Sequence, residues 1–146
     1  MKIEELLIKH EEKRYKPYDD ATGKEVKSGD TIKGKITIGV GRNIQEVGLS
    51  DDEIEHLLQN DIKRVEQELK DIFPDFDKLP ENVRFVLIDM DFNLGKSRFL
   101  TFKNMIQAVK NKDWERMIRE MKNSRWCRQV GERCEDDVRL IKEAIT

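Results

Sequence analysis

The chain has 146 residues, 37% hydrophobic and 40% charged, which suits one domain, or two small lobes sharing a core, under a heavily charged surface. Lys and Arg number 28 against 30 Asp and Glu, a net charge of -2. The first 80 residues hold 14 basic and 19 acidic side chains (net -5) and residues 81–146 hold 14 and 11 (net +3), an asymmetry too small to imply a nucleic-acid partner. No apolar run approaches the ~20 residues that span a bilayer, so stable membrane insertion is not expected.

The opening MKIEELLIKHEE places Ile3, Leu6 and Leu7 at helical spacing and is too charged for a secretory signal, so a cytoplasmic chain is expected. Ile3, Leu7 and Glu11 form an i, i+4, i+8 row, and Glu11 is expected to extend a buried stripe, with Glu12 about 100° further round. Pro17 disfavours helical geometry at Lys16 and ends this helix. Residues 23–43, GKEVKSGDTIKGKITIGVGRN, carry a turn signal at Ser28-Gly29-Asp30 and strand-favouring Ile32, Ile36 and Ile38 with Thr31 and Thr37. A small antiparallel sheet is expected here. Ser50 with Glu53 makes a capping box for a helix of about 22 residues, or about 33 Å, long enough to join two lobes.

From Glu81 onward the pattern is helical. VRFVLIDMDFNL stops at Gly95, Thr101 and Asp113 are placed to cap further helices, and a short SRWCRQV segment precedes a last helix from about Arg133 to Ile145. If Cys127 and Cys134 lie on one continuous helix, two turns separate them by roughly 10 Å, too far to bridge, and with the cytoplasmic setting free thiols are expected. With His10 and His56 they make a poor ligand set, and no metal or cofactor is expected. The fold class is α+β. A small N-terminal β lobe (12–49) is joined by a long helix (50–72) to a larger helical lobe (81–146, with helix 1–11), all within a single domain (1–146).

Among the carboxylates, Glu11 and Asp20 stand out. A carboxyl on an apolar stripe loses hydration and holds its proton more tightly, whereas Asp20, in a polar loop after Tyr18, stays ionised. Two carboxyls in diverging environments suit glycoside hydrolysis. Each candidate also has an ordinary reading: a surface acid among 30, a strand threonine at Thr37, core aromatics at Phe92, Trp114 and Trp126, and a solvated cation at Arg133. GVGRNI lacks the third glycine of a dinucleotide site.

Taken in order, the Glu11–Tyr18–Asp20–Gly23 spacing, the strand ITIGVG, LSDDEIEHLLQND, FNLG and NSRWCRQVGER resemble the phage-type lysozymes (glycoside hydrolase family 24) over nearly the whole chain. The resemblance implies cleavage of the β-1,4 link between N-acetylmuramic acid and N-acetylglucosamine in peptidoglycan. It implies Glu11 as general acid, and Asp20 and Thr37 orienting water on the opposite face of the sugar, with inversion. Arg133 falls where the family pairs a cation with the catalytic glutamate, and Phe92, Asn93 and Trp126 are expected to line a cleft between lobes. Two departures stand beside these matches. Glu12 occupies the place of a glycine. Arg42 replaces a histidine, and is expected to keep a structural bridge with Asp61.

The expected protein is therefore a monomeric muramidase of endolysin type, held in the cytoplasm until a holin-type permeabilising partner gives it access to the wall. Two alternatives keep the substrate: a lytic transglycosylase forming an anhydro product, and a catalytically silent wall-binding module. A charged helical interaction protein is the plainest alternative, and it gives the glycine-rich strand no purpose.

Overall fold

The computed structural model describes residues 2–145. The elements are helix α1 (Ile3–Glu11), strands β1 (Arg14–Asp19), β2 (Ile36–Gly39) and β3 (Arg42–Asn43), and helices α2 (Ile44–Val47) and α3 (Asp51–Ile72). After a single 3-10 turn at Phe76–Lys78 come α4 (Glu81–Leu94), α5 (Lys96–Phe99), α6 (Lys103–Lys110), α7 (Trp114–Lys122), α8 (Arg125–Val130) and α9 (Glu132–Ile145). Contacts divide the chain into two compact units, residues 1–55 and 56–146, and the boundary falls inside α3. Helix α1 falls by contacts in the first unit.

In the first unit the sheet is antiparallel in the order β1-β2-β3, with Tyr18 opposite Thr37 and Thr37 opposite Asn43. The expected strand at Ile32 does not form. β1 supplies the partner of β2 instead, and residues 20–35 are loop, with one isolated bridge between Tyr18 and Glu25. A proline lacks the amide donor, and Pro17 is tolerated here because β1 is an edge strand. Helix α1 buries no residue, so the apolar stripe expected to carry Glu11 out of water is exposed, and Glu11 with it.

The hydrophobic core belongs to the second unit. Leu69 of α3, Val83, Leu87 and Met90 of α4, Phe99, Met105, Met117, Met121 and Ile141 pack together with little or no exposure. Each such side chain contributes roughly 1.5–3 kcal/mol on leaving water. Helix α4 packs on α5 and α9, and α7 packs on α6, α8 and α9. Local chemistry sets the ends of these helices. The Ser50 hydroxyl accepts from Glu53 N–H (3.3 Å) and Glu53 accepts from Ser50 N–H (2.9 Å), the expected capping box. Asp113 caps α7 through Arg116 N–H (3.1 Å) and Ser124 caps α8 through Cys127 N–H (3.1 Å). Thr101 does not cap α6: its hydroxyl donates back to the Arg98 carbonyl at 2.6 Å, and α6 starts after Phe102.

Cys127 and Cys134 form a disulfide, against the expectation of free thiols. The expectation assumed one continuous helix. Gly131, at φ +59°, breaks the chain between α8 and α9 and turns it back, which brings the two Cα atoms to 5.1 Å.

Candidate active site

The first unit gathers the residues expected to carry chemistry. Glu11 is the last residue of α1, and Glu12, at φ +64°, turns the chain away from the helix. The Glu11 carboxylate lies against the β2–β3 turn. A Cβ on Gly41 would stand 3.0 Å from Glu11 Oε2 and 3.2 Å from its Cγ, and Gly41 has φ +65°. Only glycine meets both demands, left-handed backbone and close approach to a carboxylate.

The adjacent aspartates have separate tasks. Asp19 is buried and accepts from three backbone amides, Lys33 (2.7 Å), Ala21 (3.0 Å) and Gly34 (3.0 Å). The Lys33 amide above all holds its carboxyl below the usual range, outweighing burial. This carboxylate organises the loop and is spent. Asp20 is exposed. Its Oδ1 accepts from Lys35 N–H at 2.7 Å, and its own N–H donates to the Lys35 carbonyl at 3.1 Å. The Thr37 hydroxyl, buried in β2, donates to the same Lys35 carbonyl at 3.0 Å. One backbone oxygen thus gathers the Asp20 amide and the Thr37 hydroxyl. The second Asp20 oxygen and the hydroxyl lone pairs can accept from a water.

Beside this group Lys35 Nζ pairs with Glu46 at 2.7 Å. Arg42 does not bridge to Asp61. It forks onto Glu53 (2.9 and 2.6 Å) and donates to the Gly48 carbonyl (2.9 Å). Glu53 is already turned toward this strand by its capping bond to Ser50, so the planar guanidinium finds a matched carboxylate there. Arg42, together with the Ser50 amide and hydroxyl, lowers the Glu53 carboxyl to about 2. Asp61 pairs with Arg64, one turn along the same helix, at 3.2 Å.

In the second unit, Asn93 Oδ1 accepts from the Trp126 indole N–H at 2.8 Å. Trp126 is only 4% exposed: its ring belongs to the core, and it reaches a groove of about 780 Å³ with Leu94, Arg98, Phe102 and Arg125. Phe92 is exposed and lines a different hollow of about 390 Å³ with Leu58, Ile62, Phe85, Asp89 and Arg133. The expected trio therefore divides, with Asn93 and Trp126 together and Phe92 on another face. Arg133 forks onto Asp89 (2.7 and 3.0 Å) and donates to the Asp89 carbonyl (3.2 Å).

Sequence reasoning missed Asp19, Glu53, Asp89 and the Lys35 backbone. Asp19 had a signal in the pair Asp19-Asp20, and Glu53 in its place in the capping box, but their partners lie far off in sequence. Among the described residues no cluster of three or more metal-ligating side chains occurs, and no helix is long and apolar enough to cross a membrane.

A three-stranded antiparallel sheet followed by a long helix and a helical unit is the α+β arrangement of a lysozyme-like fold. The family model for phage lysozyme matches residues 9–139, and the chain belongs to that family. The match spans the carboxylate pair, the glycine-bracketed strand and the Arg133 segment. Among curated proteins no match is found. Family membership supports a glycosidase of endolysin type that hydrolyses peptidoglycan.

Proposed function

We propose that this chain is a muramidase that hydrolyses the β-1,4 bond between N-acetylmuramic acid and N-acetylglucosamine with inversion. Glu11 protonates the leaving oxygen. Asp20 and Thr37 hold the attacking water on the opposite face, with Asp20 as the base that takes its proton. The observation that supports this reading is that Lys35 anchors both residues: its N–H donates to the Asp20 carboxylate, and its carbonyl accepts from the Asp20 amide and the Thr37 hydroxyl. Preset acceptors lower the entropic cost of capturing a water in the attacking position. Asn93 and Trp126, bonded to each other, contact the glycan, Phe92 contacts it from the separate hollow that it lines, and Arg133, held by Asp89, is the orienting cation.

The same reading has the chain act as a monomer, without metal or cofactor. It accumulates in the cytoplasm of the producing cell and reaches the wall once a holin-type protein opens the membrane. Product analysis tests the chemistry. Digestion of purified peptidoglycan in heavy-oxygen water is expected to give hydrated muropeptides carrying the label, with the inverted anomer formed first. Anhydro products without label would assign the chain instead to lytic transglycosylation, and Asp20 and Thr37 would lose their task.

A further inference from the structure

Helix α4 carries two aspartates, Asp89 and Asp91, separated by two positions and so turned about 200° from each other. Both meet another carboxyl. Asp91 is 1% exposed, and neither of its side-chain oxygens has a hydrogen-bond donor within reach. Its partner is Glu68 of α3. Asp137 of α9 is 3% exposed, its Oδ2 has no donor, and its partner is Asp89. Asp89 in turn carries the fork of Arg133.

In each pair one carboxyl, Asp91 or Asp137, is buried with an oxygen that lacks a donor, while its partner, Glu68 or Asp89, is part-exposed and faces an arginine; with both ionised, the two like charges repel. One proton between them removes the repulsion and supplies the missing donor. The surrounding charges do not replace it. On Asp91, Arg64 of α3 and Lys96 of α5 favour ionisation, but burial and then Glu68 outweigh them and push the carboxyl up to about 7. Arg64 is itself shared between Asp61 (3.2 Å) and Glu68 (3.7 Å). On Asp137, Arg133 favours ionisation, while burial, then Asp89, and also Asp136 of the same helix oppose it and push the carboxyl up to about 8. Burial pushes Asp89 upward as well, but its bonds from Arg133 and Asp137 outweigh that and lower it, which makes Asp137 the proton holder of its pair.

We propose that residues 56–146 form a pH-sensitive clasp in which α4 is tied to α3 through one proton shared by Asp91 and Glu68, and to α9 through one shared by Asp137 and Asp89. Loss of these protons leaves two like-charged pairs, each with one buried member, and loosens both helix contacts. Ionised Asp137 also competes with Asp89 for Arg133. In the unfolded chain both aspartates ionise near the ordinary 3.8, so the folded state binds more protons between there and about 8. The stabilisation is complete below the unfolded value, declines as pH rises, and is gone once pH passes the folded values. This proposal is independent of the hydrolase reading.

Thermal unfolding of the full chain at about pH 5.5 and about pH 8.5 tests it, with wild type beside the Asp91→Asn and Asp137→Asn single and double variants. The amide keeps the shape and donates at every pH. The wild-type midpoint is expected to fall by about 5 °C or more between the two conditions, and the double variant to lose at least half of that fall. A flat wild-type profile, or an equal fall in wild type and double variant, overturns the proposal. Carbon-13 carboxyl NMR titration of the wild type keeps the test decisive if a variant does not fold. Two aspartates titrating above about pH 6 support the clasp, and all aspartates titrating below about pH 5 refute it.

Discussion

Reduction of the Cys127–Cys134 bond should destabilise the helical unit by an amount set by loop length. The bond closes a loop across a sequence separation of seven residues, at the turn between α8 and α9. In the chain-entropy account, cross-linking a loop of this size removes about 2.5 kcal/mol of freedom from the unfolded chain at 25 °C. For a chain of this length that corresponds to a fall of roughly 5–10 °C in melting temperature if unfolding is a single transition. The bond joins the neighbours of two side chains with defined partners, since Cys127 follows Trp126 and Cys134 follows Arg133. Loosening it is therefore expected to weaken the Trp126–Asn93 bond before the core melts, and indole fluorescence should report that. The assay is calorimetric or fluorescence melting of oxidised protein, of protein held in a phosphine reductant, and of the Cys127→Ala/Cys134→Ala double variant. The reduced and double-variant proteins should melt together below the oxidised form. Equal melting temperatures in all three, or two titratable thiols in the air-oxidised protein, would rule out a stabilising Cys127–Cys134 bond.

Gly41→Ala should cut peptidoglycan turnover at least about tenfold, because its Cβ meets the Glu11 carboxylate at 3.0 Å on a left-handed backbone and a small displacement of a reacting group is costly; unchanged turnover in the folded variant would contradict that placement of Glu11. Asp20→Asn should lower turnover by about a hundredfold or more, and Thr37→Val by about tenfold, with the fold retained by circular dichroism. Glu53 has a folded value of about 2 against an ordinary 4.5, so its pairing with Arg42 stabilises above 4.5 and is lost as pH falls toward 2. Glu53→Gln should therefore show a shallower loss of stability over that acid range, measured by melting at pH steps, and an identical acid profile would count against the Arg42–Glu53 fork.

The elements legible in the sequence were those written in local chemistry. The Ser50–Glu53 box, the Asp113 cap and the Gly95 stop depend on residues within one turn of each other, and each took its expected place. The misread features depend on chain reversals. SRWCRQV and the last helix were legible as separate segments, yet the cysteine spacing was weighed along one continuous helix, and that hid the disulfide that the turn at Gly131 allows. Residues 20–35 have strand-forming side chains, but β2 takes its partner from Arg14–Asp19, an alignment fixed by pairing across the loop rather than by propensity. Arg42 had acids available at several distances along α3. The capping geometry of Ser50 presents Glu53 to it, leaving Asp61 to Arg64. Asp20 and Thr37 became candidates through the family resemblance, while their shared contact with Lys35 is a product of the strand register.

The proposed mechanism stands or falls on Glu11 as the proton donor. Its most direct test is the rate of hydrated muropeptide release from purified peptidoglycan by wild type, Glu11→Gln and Glu12→Gln. A fall of about a hundredfold or more for Glu11→Gln, with Glu12→Gln near wild type and all three proteins folded and wall-bound, is the predicted result. An active Glu11→Gln protein would contradict it, and loss of activity in Glu12→Gln alone would move the acid to that residue.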